Sequence, residues 1–325
     1  MHKLTVSALI ALALTGRVSA STEEFLEAPG PKGQLKGTLL APDASGAHKA
    51  PMVLIIPGSG PTDRDGNNPL GVKAATYRLL AEALAAKGVS SLRIDKRGMF
   101  ASSAAIPDAN CVTISDYADD LRAWVSVAKA HTGLSCVWVL GHSEGGLVAL
   151  AAAQQPQDLC GLILVAASGR PFGEVLREQL NANPANAPLL KDAEVAIAML
   201  ERGERVDVAA MHPALQQLFA PVVQGFLIST MKLSPAALIR AYQGPVLVLQ
   251  GGKDLQVGVE DARRLGQANS RAKVVIFTDV NHVLKAVAGN TRAANYATYA
   301  DPSLPLAPEV ADAIASFVQA TTPAQ

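Results

Sequence analysis

Short apolar runs alternate along this chain with stretches in which apolar side chains recur every three or four positions. The run at 52–56 is continuously apolar, which is typical of a strand buried on both faces of a sheet. Further strands are predicted at 89–94 and 137–140. The intervening helical periodicity predicts a helix near 76–87 and another from a Ser115 cap to about residue 130.

The same alternation continues towards the C-terminus, after a first segment, 21–50, that predicts a pair of strands joined by turns. The later predicted strands are at 161–166, 246–250 and 274–277, and the later predicted helices are at 146–154, 261–267 and 308–318. Strands that alternate with helices predict an α/β protein whose central sheet is mostly parallel and is flanked by helices on both faces.

The segment 171–242 interrupts this alternation because it contains no clear strand. It is rich in Ala, Leu, Met, Gln and Glu, which favour several helices. Prolines mark breaks between these helices, at Pro184, Pro213, Pro221 and Pro235. We interpret 171–242 as a helical cap inserted into a core made of 21–170 and 243–325. An insertion that never shapes the functional site is the alternative.

Bulk composition narrows the function classes. The 325 residues suffice for one large domain or two ordinary ones, and 49% hydrophobic residues suit a sizeable core. The formal net charge is zero, and no basic run occurs, which argues against a nucleic-acid partner. No metal or cofactor is implied, because no cluster has the ligand spacing of a zinc or calcium site.

The first 20 residues have the pattern of a secretory signal peptide. Lys3 supplies the positive start, residues 4–14 form a short apolar stretch, and Val18-Ser19-Ala20 ends in small residues. We therefore expect cleavage after Ala20 and export to the periplasm or the extracellular space. An uncleaved N-terminal anchor is the alternative. No later segment is long and apolar enough for stable membrane insertion after cleavage.

Export gives the three cysteines a further meaning, because exported proteins can keep disulfides. Cys136 precedes one predicted strand and Cys160 opens the next, so a disulfide between them is geometrically possible if those strands are neighbours. Three small buried hydrophobic side chains are the equally weighted alternative. Cys111 is expected to remain unpaired.

The most informative motif is Gly141-His142-Ser143-Glu144-Gly145, which lies between a predicted strand and a predicted helix. This is the context of a nucleophile elbow, in which Ser143 stands at the tip of a strained turn. Gly141 and Gly145 remove side chains that would clash in such a turn. We expect the His142 side chain to point away from Ser143.

A serine nucleophile needs a histidine base and a carboxylate that orients it. Among six histidines, only His282 follows the last predicted strand and so lies at the correct sheet edge. Asp254 follows the preceding strand through Gly251-Gly252-Lys253. Asp279 is the competing carboxylate, but it lies at the end of the histidine strand and is expected to point away.

Two backbone N–H groups should hold the oxyanion that forms during acyl transfer. Glu144, directly after the nucleophile, is expected to give one, and Ser59 the other. Gly58 and Gly60 support the Ser59 loop by letting the backbone approach the substrate. A phosphate-binding loop is the rival interpretation, but Asp63 occupies the place of the third glycine of that motif.

These motifs together resemble a known family. The matching segments are residues 57–67, 95–98, 141–146, 251–254 and 281–282, and they are similar to bacterial carboxylesterases of the serine-aminopeptidase-like branch of the α/β-hydrolase superfamily. The resemblance implies an α/β-hydrolase fold with a helical cap. In the family a histidine commonly precedes the oxyanion glycine, whereas this chain has Pro57.

Asp63, Arg64 and Asp65 are expected either to form ion pairs that brace the loop or to be a solvated turn, and the same alternatives hold for Arg97.

The sequence thus predicts a secreted serine hydrolase that cleaves carboxylic esters, with a small-molecule ester as its partner. The family resemblance, together with the Ala- and Leu-rich segment 171–242, implies acyl chains of short to medium length. The chain order Ser143, Asp254, His282 is the one that an α/β-hydrolase requires. A thioesterase, an amidase or an aminopeptidase with the same triad is the alternative, and a non-catalytic binding protein is another. An aminopeptidase needs acidic groups near its pocket, and candidates are Glu174, Glu178, Glu194 and Glu201. The oligomeric state is not indicated.

Overall fold

A computed structural model describes residues 21–42 and 50–321 of the chain. The predicted signal peptide at 1–20 lies outside the described residues, as do His48 and the last four residues. Within the described part, eight strands form one sheet in the order β1-β2-β4-β3-β5-β6-β7-β8. The strands are β1 Thr22–Pro29, β2 Gln34–Ala41, β3 Met52–Ile56, β4 Ser90–Ile94, β5 Val137–His142, β6 Leu159–Val165, β7 Val246–Gly251 and β8 Lys273–Phe277.

The sheet is mostly parallel. β1 pairs antiparallel with β2, and β2 pairs antiparallel with β4, whereas all neighbours from β4 to β8 run parallel. Parallel neighbours need crossover helices, and these lie on both faces. They are α1 Thr76–Ala85, α2 Ile114–Thr132, α3 Glu144–Ala152, α9 Val259–Ala268 and α11 Pro308–Thr321. The predicted α/β architecture is confirmed.

Two hydrophobic layers cover the sheet, and the pleat of β3 shows how the sequence divides between them. Met52, Leu54 and Ile56 pack into the layer that contains Trp124 of α2. Val53 and Ile55 point the opposite way, into the layer that contains residues of α1 and α11. Because both faces are covered, the central strands must be apolar at every position, which is the continuous pattern that the sequence shows.

Helix α2 begins two residues earlier than predicted. Its N-cap is Thr113, not Ser115, and the Thr113 hydroxyl and the Asp116 carboxylate form a reciprocal capping box. Asp116 satisfies the Thr113 N–H as well, so this pair fixes the start of the helix. Ser115 lies inside the first turn.

The segment between β6 and β7 is helical. Its helices are α4 Phe172–Asn181, a 3₁₀ turn Pro184–Leu189, α5 Leu190–Glu201, α6 Pro213–Leu218, α7 Gln224–Met231 and α8 Pro235–Ala241. Pro184, Pro213 and Pro235 each open a helix, the position where a missing N–H costs nothing. These helices share a small core of their own that includes Leu200 and Phe219. We call the segment 171–242 the helical insertion.

Two elements are absent from the sequence prediction. A 3₁₀ turn covers Phe100–Ala105, and α10 covers Arg292–Ala297. Both are six residues long, too short for a clear apolar period. None of the helices in residues 21–42 and 50–321 is both long and apolar enough to cross a membrane.

Of the two alternatives for the cysteines, the disulfide is the one that the structure shows. Cys136 and Cys160 form a disulfide whose Cα atoms are 5.1 Å apart. It joins the amino ends of the neighbouring parallel strands β5 and β6, away from the carboxyl ends that carry the elbow. Cys111 is an exposed free thiol.

Candidate active site

The turn between β5 and α3 holds Ser143 in a conformation that few residues adopt. Its backbone angles are φ 55° and ψ −120°, a positive φ that costs free energy in a non-glycine residue. A Cβ added at Gly141 would lie 2.2 Å from the Gly145 carbonyl oxygen, and one at Gly145 would lie 2.3 Å from that of Ile56. The two glycines are therefore required for the turn, and the turn lifts Ser143 above the sheet.

His282 and Asp254 meet at the same edge of the sheet. Asp254 lies in the loop after β7 and His282 in the loop after β8, and His282 Nδ1 lies 2.8 Å from Asp254 Oδ2. Both side chains are buried. Asp279, in contrast, has a side chain that is 66% exposed and faces Lys253 at 3.6 Å. The structure thus pairs His282 with Asp254 and leaves Asp279 at the surface.

The Asp254 carboxylate is held in its charged form. Burial alone would raise the pKa of Asp254, but the neighbouring His282 and two backbone amides lower the pKa of this carboxyl below its ordinary value. Oδ1 accepts hydrogen bonds from the amides of Gln256, at 2.7 Å, and Val257, at 3.0 Å. Gln250 donates to Oδ2 at 3.2 Å. The carboxylate is therefore fixed in position and free to orient His282.

The loop after β3 lies directly against the elbow. A Cβ on Gly58 would lie 3.3 Å from the Ser143 Cβ, and Gly60 has a positive φ of 67°. Ser59, between them, lines the same cavities as Ser143. Within the part of the chain that the structure describes, the amides of Ser59 and Glu144 have no hydrogen-bond acceptor. Both N–H groups remain available for an oxyanion.

His142 is placed differently from the expectation. Its side chain does not point away from the site: it lines a cavity with Ser143, and its ring centroid lies 4.8 Å from that of His282. Its ring nitrogens contact the Tyr77 hydroxyl and the His282 carbonyl oxygen, each at 2.9 Å. Sequence reasoning missed these contacts because the position before the elbow serine gives no signal about the direction of its side chain. Nothing in the sequence links Tyr77 to His142.

Ion pairs brace the segments around the elbow. Arg64 binds Asp95 through its guanidinium at 2.6 Å, and Arg93 binds Asp65. Arg97 lies 2.6 Å from Asp120 of α2 and is buried. The ion-pair alternative is therefore confirmed for Arg64, Asp65 and Arg97. The Asp63 carboxylate instead accepts hydrogen bonds from the amides of Asp65 and Asn67 in its own turn.

Two cavities meet at Ser143. The first, which is partly open to solvent, is lined by His282 and by polar neutral side chains that include Thr62, Asn68 and Tyr299. The second lies under the helical insertion and is mostly apolar. Its lining includes Leu147 of α3 and Val175, Leu176, Leu218 and Phe226 of the insertion. The insertion therefore shapes the site.

The four glutamates that could serve an aminopeptidase lie elsewhere. Glu194 and Glu201 both bind Arg177, Glu178 binds Arg170, and Glu174 faces Arg264 at 3.9 Å. Among the described residues, Glu144 is the one carboxylate that lines either cavity. In residues 21–42 and 50–321, no group of three or more His, Cys, Asp or Glu side chains could hold a metal ion.

Comparison with known families decides the relationship. A family profile described as serine aminopeptidase, S33, matches residues 70–284, more than half of the chain and the part that carries Ser143 and His282. The chain belongs to this family. The resemblance drawn from the sequence motifs is confirmed, and the chain is a serine hydrolase of the α/β-hydrolase superfamily.

Solved structures show the same fold. Esterase Pf2001 of Pyrococcus furiosus is 15% identical and superposes with a TM-score of 0.59 over 99% of this chain and 100% of its own. Est1E of Butyrivibrio proteoclasticus, with bound ferulic acid, is 17% identical, with a TM-score of 0.57 over 91% of this chain and 98% of its own. An esterase domain from Rhodothermus marinus is 17% identical, with a TM-score of 0.52 over 91% and 99%. No curated protein matches the chain significantly.

Proposed function

We propose that this family member is a carboxylesterase in which Ser143 is the nucleophile, His282 the base and Asp254 the orienting carboxylate. The observation that carries the proposal is the 2.8 Å His282–Asp254 pair, buried beside a serine in a strained turn. A histidine that is hydrogen-bonded to a buried carboxylate and shares a cavity with the serine is the arrangement that activates a hydroxyl.

The reaction proceeds in two balanced halves. His282 Nε2 takes the Ser143 proton as Oγ bonds to the ester carbonyl carbon, and the carbonyl electrons move onto its oxygen. The amides of Ser59 and Glu144 stabilise that oxyanion. When it collapses, the bond to the alcohol oxygen breaks and His282 returns the proton to the alcohol. Water, deprotonated by His282, then attacks the acyl-enzyme and releases the acid with Ser143 reprotonated.

The two cavities give the substrate a direction. The alcohol must leave where His282 can protonate it, so the cavity lined by His282 takes the alcohol. The acyl chain then lies in the apolar cavity under the helical insertion. Apolar contact with Leu147, Val175 and Phe226 stabilises each added methylene until the cavity is filled, so the preferred acyl chain is of short to medium length.

An ester substrate fits this site better than a free peptide N-terminus. An aminopeptidase must bind the substrate ammonium, and an uncompensated carboxylate in the pocket is the usual way to do so. The one carboxylate that lines the described cavities, Glu144, already faces the Lys96 ammonium at 3.5 Å. The four candidate glutamates line neither cavity, and each faces an arginine.

Initial rates on p-nitrophenyl esters from acetate to palmitate test the proposal, using the wild-type protein and Ser143→Ala. We expect turnover that peaks at one chain length and disappears in Ser143→Ala. Asp254→Asn should lower kcat by about 10⁴-fold, because His282 then takes the wrong tautomer. Asp279→Asn is the matched control and should keep full activity. Negligible ester turnover together with rapid cleavage of aminoacyl-naphthylamides would overturn the ester assignment in favour of an aminopeptidase.

We also propose that the protein is exported to the periplasm or beyond. The support is the signal-peptide pattern at 1–20 together with the Cys136–Cys160 disulfide, since disulfides persist mainly in oxidising compartments. N-terminal sequencing of the protein from the expressing cells should give Ser21 as the first residue. An intact Met1 on protein found in the cytosolic fraction would contradict export.

A further inference from the structure

A buried lysine lies beneath the two segments that carry the expected oxyanion donors. Lys96 is the second residue after the end of β4 and is only 4% exposed. Its ammonium donates a hydrogen bond of 2.7 Å to the Gly58 carbonyl oxygen. The same nitrogen lies 3.5 Å from Glu144 Oε1 and 5.4 Å from the centre of the Tyr117 ring. One cation therefore contacts both the loop after β3 and the start of α3.

The contact with Gly58 acts on the Ser59 amide. The Gly58 carbonyl and the Ser59 N–H belong to one peptide unit, which is planar, so fixing the direction of the oxygen fixes the direction of the hydrogen on the opposite side. An ammonium on the carbonyl also polarises the unit and makes its N–H a stronger donor, because hydrogen bonds in a chain reinforce one another. Lys96 thus aims and strengthens the Ser59 donor.

The contact with Glu144 completes the arrangement. Glu144 supplies the second expected donor through its own amide, and its side chain turns back to the Lys96 ammonium. The carboxylate offsets the charge of a lysine that is otherwise surrounded by protein, where an unpaired ammonium is costly. The same ion pair keeps the first turn of α3 in a fixed position relative to the Ser59 loop.

The neighbouring cations do not share this geometry. Arg97 binds Asp120 and Asp116 of α2, and Arg64 binds Asp95. Arg97 also donates to the Asp116 carbonyl oxygen, and Arg64 to the Thr38 hydroxyl. Among the described residues, neither arginine bonds to Gly58 or Glu144, whereas Lys96 donates to the Gly58 carbonyl within the proposed site. Burial lowers the pKa of Lys96 from its ordinary value, and Glu144 opposes that change. A purely structural position of this kind is filled at lower cost by an apolar side chain.

We propose that Lys96 is a positioning residue of the oxyanion site, acting through the Gly58–Ser59 peptide and through Glu144. The proposal rests on the esterase function argued above. It requires that loss of the ammonium weakens stabilisation of the tetrahedral oxyanion while leaving binding of the ground-state ester nearly unchanged. In kinetic terms, kcat should fall and KM should stay nearly unchanged.

Lys96→Met is the deciding variant, measured with p-nitrophenyl butyrate and with an alkyl trifluoromethyl ketone. Ser143 Oγ bonds to the ketone carbonyl carbon, its proton passes to His282, and the carbonyl electrons move onto the oxygen, which gives a tetrahedral oxyanion in the site. We expect kcat to fall about 10- to 100-fold, below the effect of deleting a donor outright, with KM changed less than about threefold. The inhibition constant of the ketone should rise by the same factor as kcat falls.

Arg97→Lys is the matched control, because it alters the adjacent buried cation, which contacts neither Gly58 nor Glu144. It should lower the unfolding temperature and leave the ketone affinity unchanged. A Lys96→Met protein with wild-type kcat, or with reduced kcat but unaltered ketone affinity, would overturn the proposal. If Lys96→Met does not fold, Lys96→Gln decides by the same two measurements, with a smaller loss expected because its amide keeps a neutral donor.

The Ser143→Ala protein separates this proposal from the proposed function. Turnover that survives in Ser143→Ala would overturn the esterase mechanism and the role of Lys96 together. Turnover that disappears in Ser143→Ala but persists unchanged in Lys96→Met would overturn the role of Lys96 alone.

Discussion

His142 Nε2 lies 2.9 Å from the backbone carbonyl oxygen of His282. The opposite ring nitrogen, Nδ1, lies 2.9 Å from the Tyr77 hydroxyl, which accepts a hydrogen bond of 3.0 Å from the Gly58 amide. Because the carbonyl can only accept, His142 carries its proton on Nε2, and Tyr77 donates to Nδ1. A buried chain of hydrogen bonds thus connects the loop after β3 with the loop that holds His282.

Tyr77→Phe breaks this chain in the middle. The Gly58 N–H then loses its acceptor in a buried position, which should cost about 1–3 kcal/mol of stability. We expect kcat/KM for p-nitrophenyl butyrate to fall roughly tenfold, because both loops lose a support. Tyr242→Phe removes the hydroxyl of another buried tyrosine, outside both cavities, and should leave kcat/KM unchanged. Equal activities for the two variants would show that the chain does not position the site.

His142 should also make the protein acid-sensitive. Burial, together with the nearby His282, lowers the pKa of His142 from 6.5 to about 3. The unfolded chain therefore binds a proton on this residue between those two pH values and the folded protein does not. The contribution of His142 to the free energy of unfolding is therefore fully present above pH 6.5. It decreases as the pH falls towards 3, with a slope of up to about 1.4 kcal/mol per pH unit.

Urea unfolding at several pH values between 4.5 and 6.5 measures this slope. His142→Gln keeps hydrogen-bonding groups but cannot titrate. The slope of its unfolding free energy against pH should therefore be smaller than that of the wild type, by the equivalent of up to one bound proton. The depressed pKa of Asp254 acts at lower pH, and the chosen range separates the two residues. Parallel slopes for the wild type and His142→Gln would show that His142 is protonated in the folded protein.

The features that depend on local sequence pattern could be predicted from the sequence. Strand β3 is apolar at all five positions because both its faces are buried. The elbow can be recognised in the sequence because a Cβ at either of its two glycines would lie only 2.2 or 2.3 Å from a backbone oxygen. Ser143, Asp254 and His282 each lie in a loop after a predicted parallel strand, and such loops leave the same, carboxyl edge of the sheet. These features need no knowledge of long-range packing.

The supporting residues could not be read in the same way. Lys96 is 38 residues from Gly58, and Tyr77 is 65 residues from His142. Their roles depend on the strand order of the sheet and on the rotation of single side chains, neither of which leaves a periodic signal. The start of α2 shows a smaller version of the same limit, since Thr113 and Ser115 are both good capping residues and only the reciprocal bond with Asp116 selects Thr113.

The acyl-chain preference should depend on Val175 of α4, which lines the cavity under the helical insertion. Val175→Phe fills part of this space, so we expect the optimum in the p-nitrophenyl ester series to move to shorter chains, with kcat/KM for the longest good substrate reduced about tenfold. Val222→Phe makes the same change at a side chain of the insertion that is 58% exposed. It should leave the optimum unchanged, and a shift in this control would contradict the assignment of the acyl cavity.

The Cys136–Cys160 disulfide should contribute to stability and not to catalysis. It closes a loop of 24 residues, for which the loss of chain entropy in the unfolded state corresponds to about 3.5 kcal/mol. The bond lies at the amino ends of β5 and β6, whereas Ser143 follows the carboxyl end of β5. Cys136→Ala/Cys160→Ala should therefore unfold at lower urea concentration while kcat stays within about twofold of the wild type. Cys111→Ala controls for the loss of a thiol and should change neither quantity, and a kcat that falls with the disulfide would mean that strain at the amino ends reaches the elbow.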